Sequence, residues 1–253
     1  MRPKNPSVSQ RVFKLTKIGG LDYTELRGYT ICTSPRSGSN FLSQHLSSTG
    51  LLGHPLEYFN WGGRRYFDDP DYPKDVPGQI KMILTMGATP NGVYGLKIFA
   101  HQHDWISGEI GWLDVLPNLR FVLLSRRDLL GQAISWARAL QTGQYRSSEP
   151  AKQMAMFDAD LIQNQLVAIA RERARWEMFF ARTGIEPLRL EYETLIMDPC
   201  NVVHQVADLM DLSSPPSLDL SKVTVEKQSD SLSLEWAKRF RAERSNPNIV
   251  DII

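Results

Sequence analysis

Four short apolar, β-prone runs punctuate the chain, and stretches with helical spacing separate them. The run from Leu119 contains Phe121-Val122-Leu123-Leu124, continuous enough for a strand buried on both faces. Thr30-Ile31-Cys32-Thr33, Val93 to Phe99 and Pro187 to Tyr192 are read as the other strands. Phe41, Leu42, His45, Leu46 and Thr49 mark one face of a helix that closes at Gly50. Further helices are expected over about 78–87, 102–110, 128–142, 151–183, 193–211 (across Pro199) and 232–244. Residues 60–78 are rich in Gly, Asp, Pro, Tyr and Arg without periodicity and read as a surface loop. Thr89-Pro90-Asn91-Gly92 reads as a turn.

Strands alternating with helices predict an α/β domain with a central, mainly parallel sheet and helices on both faces. The 253 residues suit one such domain. Residues 1–28, with their Pro, Lys, Ser and Gly19-Gly20, read as an N-terminal extension to a domain over 29–253.

Composition narrows the partners. The fractions, 42% hydrophobic and 23% charged, are those of a soluble globule, and no stretch approaches the ~18 apolar residues of a membrane span. A net charge of +1, with bases interspersed among acids, gives no footprint for nucleic acid. Cys32 and Cys200 lie in neither a metal spacing nor a disulfide framework, and Cys32 falls inside a strand as a small buried side chain. Met1 to Pro6 is basic but no apolar segment follows, so no signal peptide is expected and the cytoplasm is the expected compartment.

The candidate chemistry begins where the first strand ends. Ser34-Pro35-Arg36-Ser37-Gly38-Ser39-Asn40 joins that strand to a helix. Strand, tight loop and helix aim backbone N–H groups and a helix N-terminus at an anion, and Arg36 adds a planar fork of donors. No lysine follows Gly38 in the Walker spacing. Ligands in parallel α/β folds sit at the carboxyl ends of strands, which brings Ser34–Asn40, Lys97 and Arg126 towards one another. By residue type alone, a kinase or NTPase and a non-catalytic nucleotide-binding protein stay open beside a transferase. Glu57 alone reads as readily as a helix cap or an ion-pair partner. His101 and His103 form an H-x-H pair with no third metal ligand in view, and no metal site is assigned. Arg173 interrupts the stripe Ile162, Leu166, Ile169, Trp176, Phe180, and reads as pairing across a subunit interface or as a solvated helix edge.

The 34–40 loop resembles the 5′-phosphosulfate loop of sulfotransferases that use 3′-phosphoadenosine 5′-phosphosulfate. It is most similar to the bacterial branch typified by mycobacterial trehalose 2-sulfotransferase. The similarity continues in order through 53–59, 89–97, Arg126-Arg127-Asp128 with Gln132-Ala133-Ile134-Ser135, 138–142, and Glu226-Lys227-Gln228-Ser229-Asp230 with Glu235-Trp236. It implies a P-loop-like three-layer sandwich and transfer of a sulfuryl group to a hydroxyl of a carbohydrate or glycolipid. The resemblance assigns Ser34, Arg36, Ser37, Gly38, Ser39 and Asn40 to the 5′-phosphosulfate. It assigns Arg126 or Arg127, with Ser135, to the 3′-phosphate, and Lys227 and Gln228 to a loop over the nucleotide. Glu57 would be the general base, its pKa raised by burial near Tyr58 and Phe59, and Lys97 would touch the sulfonate or bridging oxygen. The family also implies a homodimer. His54 stands where the trehalose enzyme is acidic, and the loop between Glu57 and Thr89 is shorter, so the likeness does not carry trehalose over as the acceptor.

Overall fold

All four expected strands pair in one parallel sheet in a computed structural model that describes residues 17–18, 21–146, 149–225 and 231–251. They are β1 (Arg27–Thr33), β2 (Val93–Phe99), β3 (Leu119–Ser125) and β4 (Leu188–Glu191), in the order β2-β1-β3-β4. Ile31 of β1 lies opposite Lys97 of β2 on one side and Val122 of β3 on the other. Lys17–Ile18 and Leu21–Asp22 form a separate short antiparallel pair.

Alternation along the strands feeds two apolar layers. Tyr29, Ile31, Val122 and Leu124 face α1 (Ser39–Ser48) and the later helices, contacting Leu42, Leu46, Val202 and Val206. Cys32, Leu96, Ile98, Phe121 and Leu123 face the other way. There they meet α3 (Val76–Thr85), α4 (Ala100–Glu109), the short α5 (Trp112–Val115) and the end of α7 (Ala159–Thr183). The molecule is therefore a three-layer α/β sandwich. A third cluster, with Ile134, Ala137, Ile169, Trp236 and Phe240, packs α10 (Ser231–Arg244) onto α7 and α6 (Leu129–Thr142).

Three expectations need correction. Residues 60–78 are not plain loop: α2 (Trp61–Phe67) forms there because Asn60 caps it, its side chain accepting from Gly63 N. The long helix starts at Ala159, not 151, because Asp158 takes the N-cap and accepts from Leu161 N. The helix expected over 193–211 is two, α8 (Tyr192–Met197) and α9 (Pro199–Leu209). Pro199 cannot continue a helix but suits the first turn of a new one, capped by Asp198.

Candidate active site

The 34–40 loop turns twice through left-handed backbone, at Arg36 (φ 62°) and Gly38 (φ 88°). A side chain at Gly38 would strike the Tyr192 ring, which lies 2.2 Å from where its Cβ would be. Gly38 is also the N-cap of α1 and supplies no side-chain cap, so the helix presents its first-turn N–H groups without one. In α2, α3, α6, α7 and α9 a side chain does cap the N-terminus.

Neighbouring elements hold the loop in place. Gln132 Nε2 donates to Ser34 Oγ (2.9 Å) and to the Pro35 carbonyl (2.6 Å). Thr33 Oγ1 donates to the Leu124 carbonyl at 2.8 Å and lies 2.7 Å from Ser37 Oγ. The Ser37 hydroxyl is thus turned back towards the strand. Trp176 Nε1 donates to the Thr33 carbonyl at 3.0 Å.

Arg36 and Ser135, assigned by resemblance to different phosphates, touch each other: Arg36 Nε donates to Ser135 Oγ at 3.0 Å and Nη1 to the Tyr145 carbonyl at 2.8 Å. Burial, together with the charges of Arg126 and Arg138, lowers the Arg36 pKa. Arg126 stacks on Tyr192, its guanidinium carbon 5.0 Å from the ring centre, and its Nη1 reaches the Arg36 carbonyl at 3.5 Å. Its Nε is buried with no hydrogen-bond partner. Arg127 points elsewhere, with Nε 3.3 Å from Glu191 and 3.7 Å from Glu193, and is mostly exposed. Arg173 is part-buried, lines a cavity of about 200 Å³ behind the loop, and donates to the Arg126 carbonyl at 3.4 Å. Lys227 and Gln228 lie outside the described residues.

Lys97 joins this loop to the second half of the site. Buried within β2, it donates to Asn40 Oδ1 and stands 3.1 Å from Glu57 Oε1. Asn60 Nδ2 donates to Glu57 Oε2 at 3.0 Å. The expectation that burial near aromatics raises the Glu57 pKa is overturned. Burial does push it up, but the Lys97 ammonium, the hydrogen bonds from Asn60 and Lys97, and the charge of Arg146 outweigh that and hold it below the usual carboxylate value. Tyr58 and Phe59 turn into the core instead of framing the carboxylate. Burial lowers the Lys97 pKa, opposed by Glu57. The result is a part-buried carboxylate kept ionised beside the N-terminus of α1.

His101 Nδ1 faces Glu172 at 3.1 Å, and His103 packs edge-on against Trp112, Trp176 and Phe179. The site also contains residues the sequence reading left out of it: Asn60, Gln132, Tyr192 and Arg146. Gln132 was legible in part, since it lies three residues before Ser135 and so on the same helix face. Nothing local marks the others.

A loop and helix N-terminus tied by a buried lysine to an ionised carboxylate is a geometry suited to group transfer on an α/β fold. Residues 28–243 match the family model described as Stf0 sulphotransferase, so the chain belongs to that family and is a sulfotransferase. The kinase and non-catalytic readings are thereby set aside. Two curated relatives are trehalose 2-sulfotransferases. That of Mycobacterium tuberculosis (strain ATCC 35801 / TMC 107 / Erdman) is 28% identical, covering 86% of this chain and 96% of the relative. That of Mycolicibacterium smegmatis is 27% identical, covering 85% and 94%. Among solved structures, the sulfotransferase domain from the curacin biosynthetic pathway aligns with TM-score 0.49 at 15% identity, over 87% of this chain and 98% of that one.

Proposed function

We propose that the protein transfers a sulfuryl group from 3′-phosphoadenosine 5′-phosphosulfate to a carbohydrate hydroxyl, with Glu57 as general base. The observation that carries this reading is the Lys97 bridge, which puts a carboxylate held ionised next to a helix N-terminus without a side-chain cap. The residues present fit such a donor. The α1 N-terminus and the turned loop suit its 5′-phosphosulfate, and the unpartnered Nε of Arg126, with Ser135 close by, suits its 3′-phosphate. The donor supplies the activated sulfuryl group.

Glu57 accepts the acceptor's proton as the hydroxyl oxygen bonds to sulfur and the bond from sulfur to the 5′-phosphate oxygen breaks, releasing 3′,5′-diphosphoadenosine. Protonating Glu57 frees the Lys97 ammonium to meet charge building on the leaving oxygen. A carbohydrate acceptor is supported by the two trehalose-acting relatives. Two calorimetric titrations test the donor class: 3′,5′-diphosphoadenosine in a chelator should bind saturably, and ATP with magnesium, titrated without chelator, far more weakly. The reverse order would overturn it.

A further inference from the structure

Arg146 stands just after α6, next to Tyr145, whose carbonyl accepts from Arg36 of the phosphate loop. Its guanidinium grips Asp68 with both nitrogens at 2.8 Å and lies 4.7 Å from the centre of the Phe67 ring. Asp68 is the C-cap of α2, and Asn60, the N-cap of the same helix, holds Glu57. Lys152 Nζ donates to Tyr66 Oη at 2.8 Å, a second tie between the same helix and the same segment. The contacts therefore run unbroken from Arg36 to Tyr145, Arg146, Asp68, α2, Asn60 and Glu57.

We propose that Arg146 is a positioning residue linking the donor loop to the helix that holds the general base, so that filling the loop tightens α2 and orders Glu57. The bidentate fork is the geometry for this, because two parallel hydrogen bonds fix direction as well as distance. An anion taken up by the Arg36 fork restrains its guanidinium, and the Tyr145 carbonyl with it. The ordering then costs less at the next contact along. Arg146 also lies near enough to help hold Glu57 ionised. The proposal rests on the donor reading above and goes beyond it by making the acceptor side respond to the donor.

Hydrogen–deuterium exchange of the full chain, with and without 3′,5′-diphosphoadenosine, tests it without needing the acceptor. In the unmodified protein the nucleotide should slow exchange at 34–42 and also at 61–68, the latter by about fivefold, the low end of ordinary coupling between sites. Arg146→Ala should keep the response at 34–42 and lose it at 61–68. Asp68→Asn breaks the same link from the other end, and answers if the first variant does not fold. A purely structural Arg146 would speed exchange at 61–68 in both states and leave their ratio unchanged, which overturns the proposal. So does protection confined to 34–42 in the unmodified protein. Absence of protection even at 34–42 brings down the donor reading, and the link with it.

Discussion

Lys97, buried, and Glu57, part-buried, stand 3.1 Å apart at the junction of the two halves of the site. The lysine also donates to Asn40, so the carboxylate is registered against the 34–40 loop through one side chain. A lysine in the middle of an edge strand ordinarily reaches solvent. Here it is covered, and its partners explain why the burial is tolerated.

Removing the carboxylate's charge separates chemistry from binding. Glu57→Gln should lower kcat by about 100- to 10,000-fold, the usual contribution of a positioned base. Affinity for 3′,5′-diphosphoadenosine should stay within experimental error. Labelled-sulfate transfer and calorimetry read the two; intact turnover would remove Glu57 from the role of base.

The pH profile reports on Lys97. Glu57 is held below its ordinary value, so the active carboxylate persists as pH falls and the acid limb of kcat/KM lies low. Lys97→Met deletes the main force favouring the charged form, and burial then dominates. The acid limb of the residual activity should move to higher pH. A limb that stays in place would mean the two groups do not interact in the working enzyme.

The two neighbouring arginines differ in surroundings, and the proposed 3′-phosphate contact is assigned to Arg126 on that ground. Arg126 faces the loop with an unpartnered nitrogen, whereas Arg127 is spent on Glu191 and Glu193 at the surface. Arg126→Ala should weaken binding of 3′,5′-diphosphoadenosine by about 10- to 100-fold, the worth of a hydrogen bond to a charged group. Arg127→Ala should cost no more than about fivefold. Adenosine 5′-phosphosulfate, lacking the 3′-phosphate, should bind both variants about equally well. Equal losses for the two nucleotides would place Arg126 elsewhere.

Gly38→Ala should fail structurally. Its left-handed backbone alone costs a side chain about 1–2 kcal/mol, and the added methyl would collide with Tyr192. Urea unfolding should show at least that loss together with weakened nucleotide binding. A variant as stable as the parent would mean that Tyr192 does not cover the loop.

Much of this was legible before folding. The run Phe121–Leu124 and the strand–loop–helix at 30–48 have the patterns of a buried parallel strand and of a strand with its following helix, and both stand where expected. The misjudged boundaries, at 61, 159 and 199, are each set by one capping Asn or Asp, a local contest between cap and helix that periodicity does not resolve. The Glu57 pKa failed for a different reason. Sequence places Tyr58 and Phe59 beside it, but which way each side chain turns depends on what packs against them.

Periodicity and turn residues act locally, so the parallel strands, the strand–loop–helix at 30–48 and the residue types available for chemistry could be read from the chain. Which side chains pair depends instead on how separate elements pack. Glu172 of α7, 72 residues away, accepts from Ala100 N at the start of α4. Gln132 clamps a loop 97 and 98 residues before it, and Lys97 finds Asn40 and Glu57 across two other elements. Such contacts form only when separate elements share a core, and charge states, Glu57 foremost, follow from them.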